Sequence, residues 1–571
     1  MMKTQLETSF IIILIILLFN SSVGTNQDYK ESLLLKLLPD GKVLAHFDHV
    51  ITWNHISPLD MTAFSNVRHY GIFPRPVSEM ISLYNVEELY LSLTRGKWKD
   101  RLWGYPPIDS PPGAELWAWF LPQASDVDED WRGLLHALSG LLCSSFDAID
   151  STTTFIPKTS FKPTGAFIGN ISSSRLRYTA LPREPVCTEN LTPWSKLLPC
   201  GQKVGLGSLY YALKLYDTNY HSISLKIVPS CQDDSCSSVG TAVTLSLSVV
   251  FKLPSGKTWS LSSLFGRHIE KKCPLSSSSF IYFDKYLHKD INLYPEPHFI
   301  ENKQFLSSNV ELSVYELNNL KSDIKVSLKN KNYSQVMPHP PSPLSIQRYL
   351  TGSGHGRGGI VTIISNNDDE SLKVSFLDMV PWFFRILYHT LTCELTINNN
   401  NNNKINCEET NNTILFKEFS PAKDRVLPYK MEYIFFIPPH SSISLYVEFL
   451  RGFLKWNEYP PDASLGFFIN SAVLTSNVYK CANCTVSTME NRSSFLLRIH
   501  SDPLLVSLPI PDFSMPYNVI CFVSTVIAIG FGSLFNLTTR ELLPVNEEEE
   551  EKKGVLVRII NKLKQLFLRK D

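Results

Sequence analysis

Hydrophobic and polar residues alternate along much of the chain, which is the pattern of strands that bury one face. The alternation begins in VLAHFDHVITW (43–53) and ELYLSLT (88–94), and it dominates beyond about residue 205. The later alternating segments are 222–228, 241–251, 309–315, 322–328, 372–380, 431–437, 442–449 and 494–500. Short strands joined by turns predict a mainly β fold of antiparallel β-sandwiches, with a possible sub-boundary near residue 205.

A helical period is clear in few places, so the fold should contain only a few helices. The best case is DEDWRGLLHALSGLLC (128–143), where Trp131 and the leucines fall on one face. Asp126 or Asp128 can cap the start of this helix, and Cys143 at its end is expected to be a buried thiol.

Two apolar runs predict how the chain meets a membrane. The first, Phe10–Phe19, follows Lys3 and precedes the small residues Ser22 and Gly24, as in a signal peptide (1–24) cleaved near Gly24. An uncleaved signal anchor is the alternative. The second, Tyr517–Leu537, holds no charged residue and would span roughly 31 Å as a helix, enough for a bilayer. A buried soluble helix is the alternative there.

The tail after the second run, residues 538–571, sets the expected orientation. Arg540 follows the apolar run directly and further lysines and arginines follow, as is typical of a cytosolic flank. We therefore expect a single-pass type I protein whose segment 25–516 lies in the endoplasmic reticulum lumen or outside the cell. The end of the tail is either an amphipathic helix on the membrane or a disordered segment.

Composition excludes some partners and agrees with this compartment. Lysine plus arginine balance aspartate plus glutamate at 54 each, so nucleic-acid binding has no electrostatic support. The segment 25–516 also carries N-glycosylation sequons. We expect glycans at Asn170, Asn332, Asn411, Asn483 and Asn491. Asn190 is a doubtful acceptor because Pro193 follows its threonine.

The chain has 11 cysteines, and an oxidising compartment allows disulfides. We expect the pairs Cys200–Cys273, Cys231–Cys236, Cys393–Cys407 and Cys481–Cys484. Sequence alone does not fix this connectivity. The scheme leaves Cys187 without an obvious partner, which suggests a bond to another chain.

Candidates for catalysis are weak. The glycine-rich segment TGSGHGRGG (351–359) precedes a strand-like IVTII, so a hairpin loop is favoured over a phosphate-binding loop. Cys481 and Cys484 have redox spacing, but no helix follows them, and a local disulfide is favoured. No G-x-S-x-G or H-E-x-x-H motif is present. The residues therefore offer no convincing catalytic site, and we expect no metal and no cofactor.

Several long blocks resemble the PIG-T family, the accessory subunits of the GPI transamidase. They are LSLTRGKWKDRLWGYPPIDSPPGAELWAWF (91–120), LSGLLC (138–143), LPREPVCTENLTPWSKLLPC (181–200), DMVPWFFRILYHTL (378–391), LKWNEYPPD (454–462) and LPIPDFSMPYNVIC (508–521). They occur in the family's order, together with its signal peptide and C-terminal membrane helix.

The resemblance implies a non-catalytic subunit in the endoplasmic reticulum membrane. The complex joins a proprotein to a GPI lipid, and its catalytic cysteine lies on PIG-K, a caspase-like protease subunit. Cys187 matches the family's interchain cysteine; an internal disulfide is the alternative.

The resemblance also implies a GPI-lipid site. Asp512, Ser514 and Asn518 match the family's lipid contacts, and a further contact falls near Ser464, where the family has asparagine. Capping of the membrane helix is the alternative role of Asp512 and Ser514.

Two rival functions follow from the residues alone. The first is a membrane-anchored, glycosylated adhesion or receptor ectodomain. The second is a hydrolase or redox enzyme of the lumen that uses Cys481 and Cys484.

Overall fold

The computed structural model describes residues 27–54, 70–165, 172–231, 239–253, 258–284, 291–305, 308–320, 322–328, 342–352, 356–397, 403–407, 409, 413–460, 463–478, 495–510, 512, 514–539 and 557–562. The chain forms two compact units. The larger unit comprises Met1–Leu454 and Asp462–Pro509, and the smaller comprises Lys455–Pro461 and Ile510–Asp571.

The described elements are mostly strands. The strands are β1 (Gln27–Leu37), β2 (Lys42–Trp53), β3 (Val86–Arg95), β4 (Gly113–Phe120), β5 (Leu176–Leu181), β6 (Tyr220–Cys231), β7 (Val239–Lys252), β8 (Thr258–Ser260), β9 (Ser278–Asp284), β10 (Ile291–Tyr294), β11 (Phe299–Phe305), β12 (Ser308–Glu316), β13 (Lys325–Leu328), β14 (Leu344–Thr351), β15 (Arg357–Asn366), β16 (Leu372–Val380), β17 (Phe384–Ile397), β18 (Asn403–Asn406), β19 (Ile414–Ser420), β20 (Tyr429–Ile437), β21 (Ser441–Arg451), β22 (Phe467–Ile469), β23 (Val473–Val478), β24 (Phe495–His500) and β25 (Leu504–Val506). The helices are α1 (Arg75–Leu83), α2 (Asp100–Trp103), α3 (Val127–Leu142), α4 (Thr188–Ser195), α5 (Ala212–Tyr216), α6 (Leu261–Phe265) and α7 (Ser514–Thr539).

Ten strands form one large sheet in the order β11-β12-β9-β1-β2-β7-β6-β3-β4-β5. Its neighbours pair antiparallel except for β1 and β9, which are parallel. Strands from both sides of residue 205 join this sheet. The domain limits drawn from the sequence stay predictions.

Helices cover one face of the large sheet. Trp131, Leu134 and Leu138 of α3 are buried and join a core that also contains sheet residues such as Leu91 and Leu116. Asp126 caps α3 by accepting hydrogen bonds from the N–H groups of the following turn, at 2.9 and 3.1 Å, which confirms that prediction.

Two five-stranded antiparallel sheets form a β-sandwich in the C-terminal half of the larger unit. Their orders are β14-β15-β21-β17-β18 and β19-β20-β16-β23-β24. Ile364 and Leu445 of the first sheet share one buried cluster with Phe376 and Leu474 of the second. The prediction of a mainly β fold with antiparallel sandwiches and a few helices is therefore confirmed.

The outer face of the large sheet packs on the sandwich. Trp117 and Tyr178 of the large sheet share a buried cluster with Leu377, Met379 and Val473 of the sandwich. The cluster is predominantly apolar and aromatic, so burial of hydrophobic area holds the two parts together.

A buried ionic group reinforces this junction. His500, at the end of β24, lies 2.9 Å from Glu115 of β4 and 3.3 Å from Asp109. Burial opposes protonation of His500, but the two carboxylates outweigh it and raise its pKa to about 9. His500 is therefore a cation at neutral pH and links the sandwich to the large sheet.

The smaller unit contains α7, which is long and apolar enough to cross a membrane. The most apolar stretch of α7 has a mean hydropathy of 2.0, and none of it is buried by the part of the chain that the structure describes. The prediction of a C-terminal transmembrane helix is confirmed at this level, with bounds slightly wider than 517–537.

Candidate functional site

Cys187 stands directly before α4 and is half-buried, with a thiol in no disulfide. Its backbone is extended, and its N–H donates a 2.9 Å hydrogen bond to Oδ1 of Asn190. The hydroxyl of Tyr216 donates to the Cys187 carbonyl oxygen. Two side chains therefore fix the backbone of Cys187 and with it the position from which the thiol projects.

Asn190 joins the ends of two helices. Its side chain is completely buried, and Nδ2 donates to the carbonyl oxygens of Leu142 and Cys143, at 2.8 and 3.0 Å. These carbonyls belong to the C-terminal end of α3, where the helix supplies no further N–H groups to bind them. Because the amide is buried and bonded, Asn190 is unsuited to carry a glycan in the folded chain, despite its sequon.

The ring of Tyr216, whose hydroxyl binds the Cys187 carbonyl, contacts the ring of His221. His221 packs edge-on against it, with ring centroids 4.4 Å apart. Burial, and next the nearby Cys187, raises the pKa of Tyr216 well above its usual value, so the hydroxyl stays a donor. Burial, helped by Arg95, lowers the pKa of His221 to about 4, which keeps the imidazole neutral. Neither residue was predicted from the sequence, because only the packing of α5 against α4 brings Tyr216 to Cys187.

The described disulfides agree with the expected pairing. Cys200–Cys273 and Cys393–Cys407 are both formed, with Cα atoms 6.0 and 5.4 Å apart. Cys231 is also disulfide-bonded, whereas Cys236, Cys481 and Cys484 lie outside the described residues.

One cysteine prediction is wrong. Cys143 is exposed rather than buried. The helix ends at Leu142, and Cys143 adopts a left-handed conformation with φ of 52°, so its side chain leaves the apolar face of α3. Among the described residues the free cysteines are Cys143, Cys187 and Cys521. The interchain role of Cys187 stays a prediction.

The segment matched to the lipid site lies at the start of α7. Oδ1 of Asp512 accepts a 2.9 Å hydrogen bond from the N–H of Ser514, and this bond lowers the pKa of Asp512. Asp512 is therefore an ionised cap of α7, as the alternative reading of this residue expected. Ser514 and Asn518 are exposed and four residues apart, so they share one face of the helix.

Ser464 belongs to the larger unit, apart from the other three lipid-site candidates in sequence. It is exposed in a single 3-10 turn, Ala463–Leu465. Its role in binding stays a prediction.

Other predicted features fall outside the described residues. They are the signal peptide 1–24, the glycosylation candidates Asn170, Asn332, Asn411, Asn483 and Asn491, and most of the tail 538–571. Within the described ranges, no group of three or more His, Cys, Asp or Glu side chains is placed to hold a metal ion.

Comparison with known proteins identifies the class of this mainly β protein with one candidate transmembrane helix. Residues 13–256 and 251–564 match the family model of the Gpi16 subunit, a GPI transamidase component. The chain is 36% identical to the GPI-anchor transamidase component PIGT of Mus musculus, covering 95% of this chain and 94% of that protein. It is likewise 36% identical to PIGT of Homo sapiens, covering 94% of each.

A fungal relative extends the match. The chain is 30% identical to the GPI transamidase component GPI16 of Saccharomyces cerevisiae, over 96% of this chain and 95% of that protein. The chain therefore belongs to the Gpi16 family of GPI transamidase components. These matches confirm the resemblance drawn from the sequence, and they favour it over an adhesion or receptor ectodomain.

Proposed function

We propose that this chain is a non-catalytic subunit of the GPI transamidase in the endoplasmic reticulum membrane. It crosses the membrane once through α7, as a type I protein with a cleaved signal peptide and a glycosylated lumenal segment. It holds the caspase-like subunit PIG-K through a disulfide from Cys187, and it helps to bind the GPI lipid beside the proprotein.

The observation that carries this proposal is the free thiol of Cys187 on a fixed backbone. The Cys200–Cys273 disulfide is formed, whereas Cys187 keeps a free thiol, as does the exposed Cys143 at the end of α3. Asn190 and Tyr216 hold its backbone from opposite sides of the residue, through the N–H and the carbonyl. A thiol presented this way loses little conformational freedom when it bonds to another chain.

A covalent tether supports a scaffolding role. Once linked, the catalytic subunit meets the rest of the complex intramolecularly, at a high effective concentration. The catalytic cysteine is then kept close to the membrane in which the lipid substrate resides, while this chain supplies position rather than chemistry.

The start of α7 has suitable chemistry for a GPI headgroup. Ionised Asp512 can accept hydrogen bonds from an amine or sugar hydroxyls, and the exposed Ser514 and Asn518 can donate to phosphate oxygens. Ser464 is the fourth candidate. Because Asp512 also caps α7, lipid binding would be added to a structural role.

Complementation of cells that lack this subunit tests the two sites separately. The readout is the surface level of a GPI-anchored reporter, measured beside the amount of assembled complex. We expect Cys187→Ser to lower the covalent complex and Asn518→Ala to lower reporter anchoring with the complex intact. Full anchoring by the Ser514→Ala, Asn518→Ala double variant would contradict the lipid-binding role. Asn536→Ala, at the other end of α7, is the matched control.

A further inference from the structure

Trp456 differs from the other tryptophans in the exposure of its ring. The chain has ten tryptophans, all within the described ranges. Eight of them are no more than 7% exposed, and Trp382 is half-buried with the guanidinium of Arg425 over its ring. Trp456 is 62% exposed. Tryptophan combines a large apolar ring with a polar N–H, and such side chains are enriched at interfaces, including the boundary between membrane and water.

The turn that carries Trp456 belongs to the same compact unit as the membrane helix. This unit comprises Lys455–Pro461 and Ile510–Asp571, and Trp456 opens a short 3-10 turn, Trp456–Glu458. Oε2 of Glu458 accepts a 2.7 Å hydrogen bond from the N–H of Lys455. The acidic group is therefore engaged by the turn's own backbone, while Lys455 and Trp456 are both exposed.

The length of α7 indicates that its first turn lies among lipid headgroups. Its 26 residues extend roughly 39 Å, about 9 Å more than the hydrocarbon core of a bilayer. Arg540 follows the C-terminal end of α7, and its positive charge is expected among the lipid headgroups on that side of the bilayer. The excess length therefore places Ser514 and the exposed Tyr517 in the opposite headgroup layer.

We propose that Lys455 and Trp456 form a second membrane contact, an anchor in the headgroup layer at the start of α7. The indole lies at the boundary between headgroups and acyl chains, and the Lys455 ammonium binds lipid phosphates. An amphipathic ring beside a basic side chain is the composition found at membrane interfaces. The anchor adds a lateral contact that a single helix cannot provide, and so limits tilting of the turn about α7.

Quenching by brominated lipids tests the anchor in the full-length chain. The chain is reconstituted in vesicles of phosphatidylcholine brominated at carbons 6 and 7, and tryptophan emission is compared with that in unbrominated vesicles. Because α7 contains no tryptophan, the background from the membrane segment is low. Trp382→Phe is the matched control, and equal resistance to trypsin shows that both variants are folded.

We expect the bromolipid-quenched part of the emission to fall at least twofold in Trp456→Phe and to stay unchanged in Trp382→Phe. Adding phosphatidylserine should increase quenching in the wild type but less so in Lys455→Gln. Equal bromolipid quenching in wild type and Trp456→Phe would overturn the proposal, as would emission from Trp456 that only aqueous acrylamide quenches. These vesicles contain no GPI lipid and no other subunit, so the result is independent of the function proposed above.

Discussion

The N–H of Cys187 donates a hydrogen bond to Oδ1 of Asn190, a residue whose side chain is completely buried. The same amide donates to the last carbonyls of α3. The position of the proposed tether is therefore fixed by the junction between α3 and α4 rather than by a surface loop. A substitution at that junction should therefore lower the yield of disulfide-linked complex even though Cys187 itself is unchanged.

Replacing Asn190 by alanine tests this link. The change removes three hydrogen bonds and leaves the buried carbonyl of Leu142 and the partly buried carbonyl of Cys143 without this partner, which should cost roughly 2–4 kcal/mol of stability. We expect a lower urea midpoint for protease resistance and less disulfide-linked complex on a non-reducing gel. Asn318→Ala, at an exposed position, is the control. A normal yield of linked complex from Asn190→Ala would show that the junction does not position the thiol.

The buried state of Asn190 predicts that its sequon stays unmodified. Thr192→Ala destroys the sequon and spares the Asn190 side chain, since Thr192 is exposed and bonds only locally. We expect its gel mobility to match the wild type before and after glycosidase treatment. Asn332→Gln, at a proposed glycan site, should migrate faster before treatment. Faster migration of Thr192→Ala would mean that Asn190 carries a glycan, against its buried position.

His500 predicts a pH-dependent stability. Its pKa is about 9 in the folded chain, above the value near 6.5 expected when unfolded. The stabilisation is therefore complete below about pH 6.5 and is lost as the pH rises towards 9, by an amount on the order of a few kcal/mol. Asp109 and Glu115 face the ring, and the guanidinium of Arg498 lies 3.8 Å from Asp109.

Urea unfolding of the full chain in detergent between pH 6.5 and 9 measures this effect. His500→Gln should flatten the decline in stability over that window, and His136→Gln, whose side chain is 71% exposed, should leave it intact. An unchanged slope in His500→Gln would exclude His500 as its source.

The Cys200–Cys273 disulfide should contribute substantially to stability. It closes a segment of 73 residues, for which loop-closure entropy gives roughly 4 kcal/mol. The double change Cys200→Ser, Cys273→Ser should therefore lower the urea midpoint clearly, while Cys521→Ser in the exposed surface of α7 should not. A midpoint equal to that of the wild type would show that strain or residual structure offsets the entropic gain.

Strands with regular alternation could be predicted from the sequence, and others could not. The predicted strand 43–53 became β2 (Lys42–Trp53), because its alternating residues match a sheet with two different faces. β1 (Gln27–Leu37) received no prediction, since its place depends on antiparallel pairing with β2 and parallel pairing with the distant β9. β17 was also missed, and its register shifts between Leu387 and Thr392.

The site was predictable only in part. Cysteine pairing singled out Cys187, and the family resemblance supplied its role, but the part that Asn190 and Tyr216 play in holding its backbone entered only with the tertiary structure. Their contacts to Cys143 and Cys187 cross 47 and 29 residues of chain, and no local pattern marks them. Cys143 was placed wrongly because the apolar period does not show that the helix stops one residue earlier.

A non-reducing gel of the tagged chain from detergent-solubilised membranes tests the central claim most directly. Wild type, Cys187→Ser and the control Cys143→Ser are compared, and mass spectrometry identifies any partner. We predict a heavier, reductant-sensitive band with a caspase-like subunit in wild type and Cys143→Ser, and its loss in Cys187→Ser. Wild-type protein that migrates as a monomer without reductant, or a heavier band that persists in Cys187→Ser, would contradict the account.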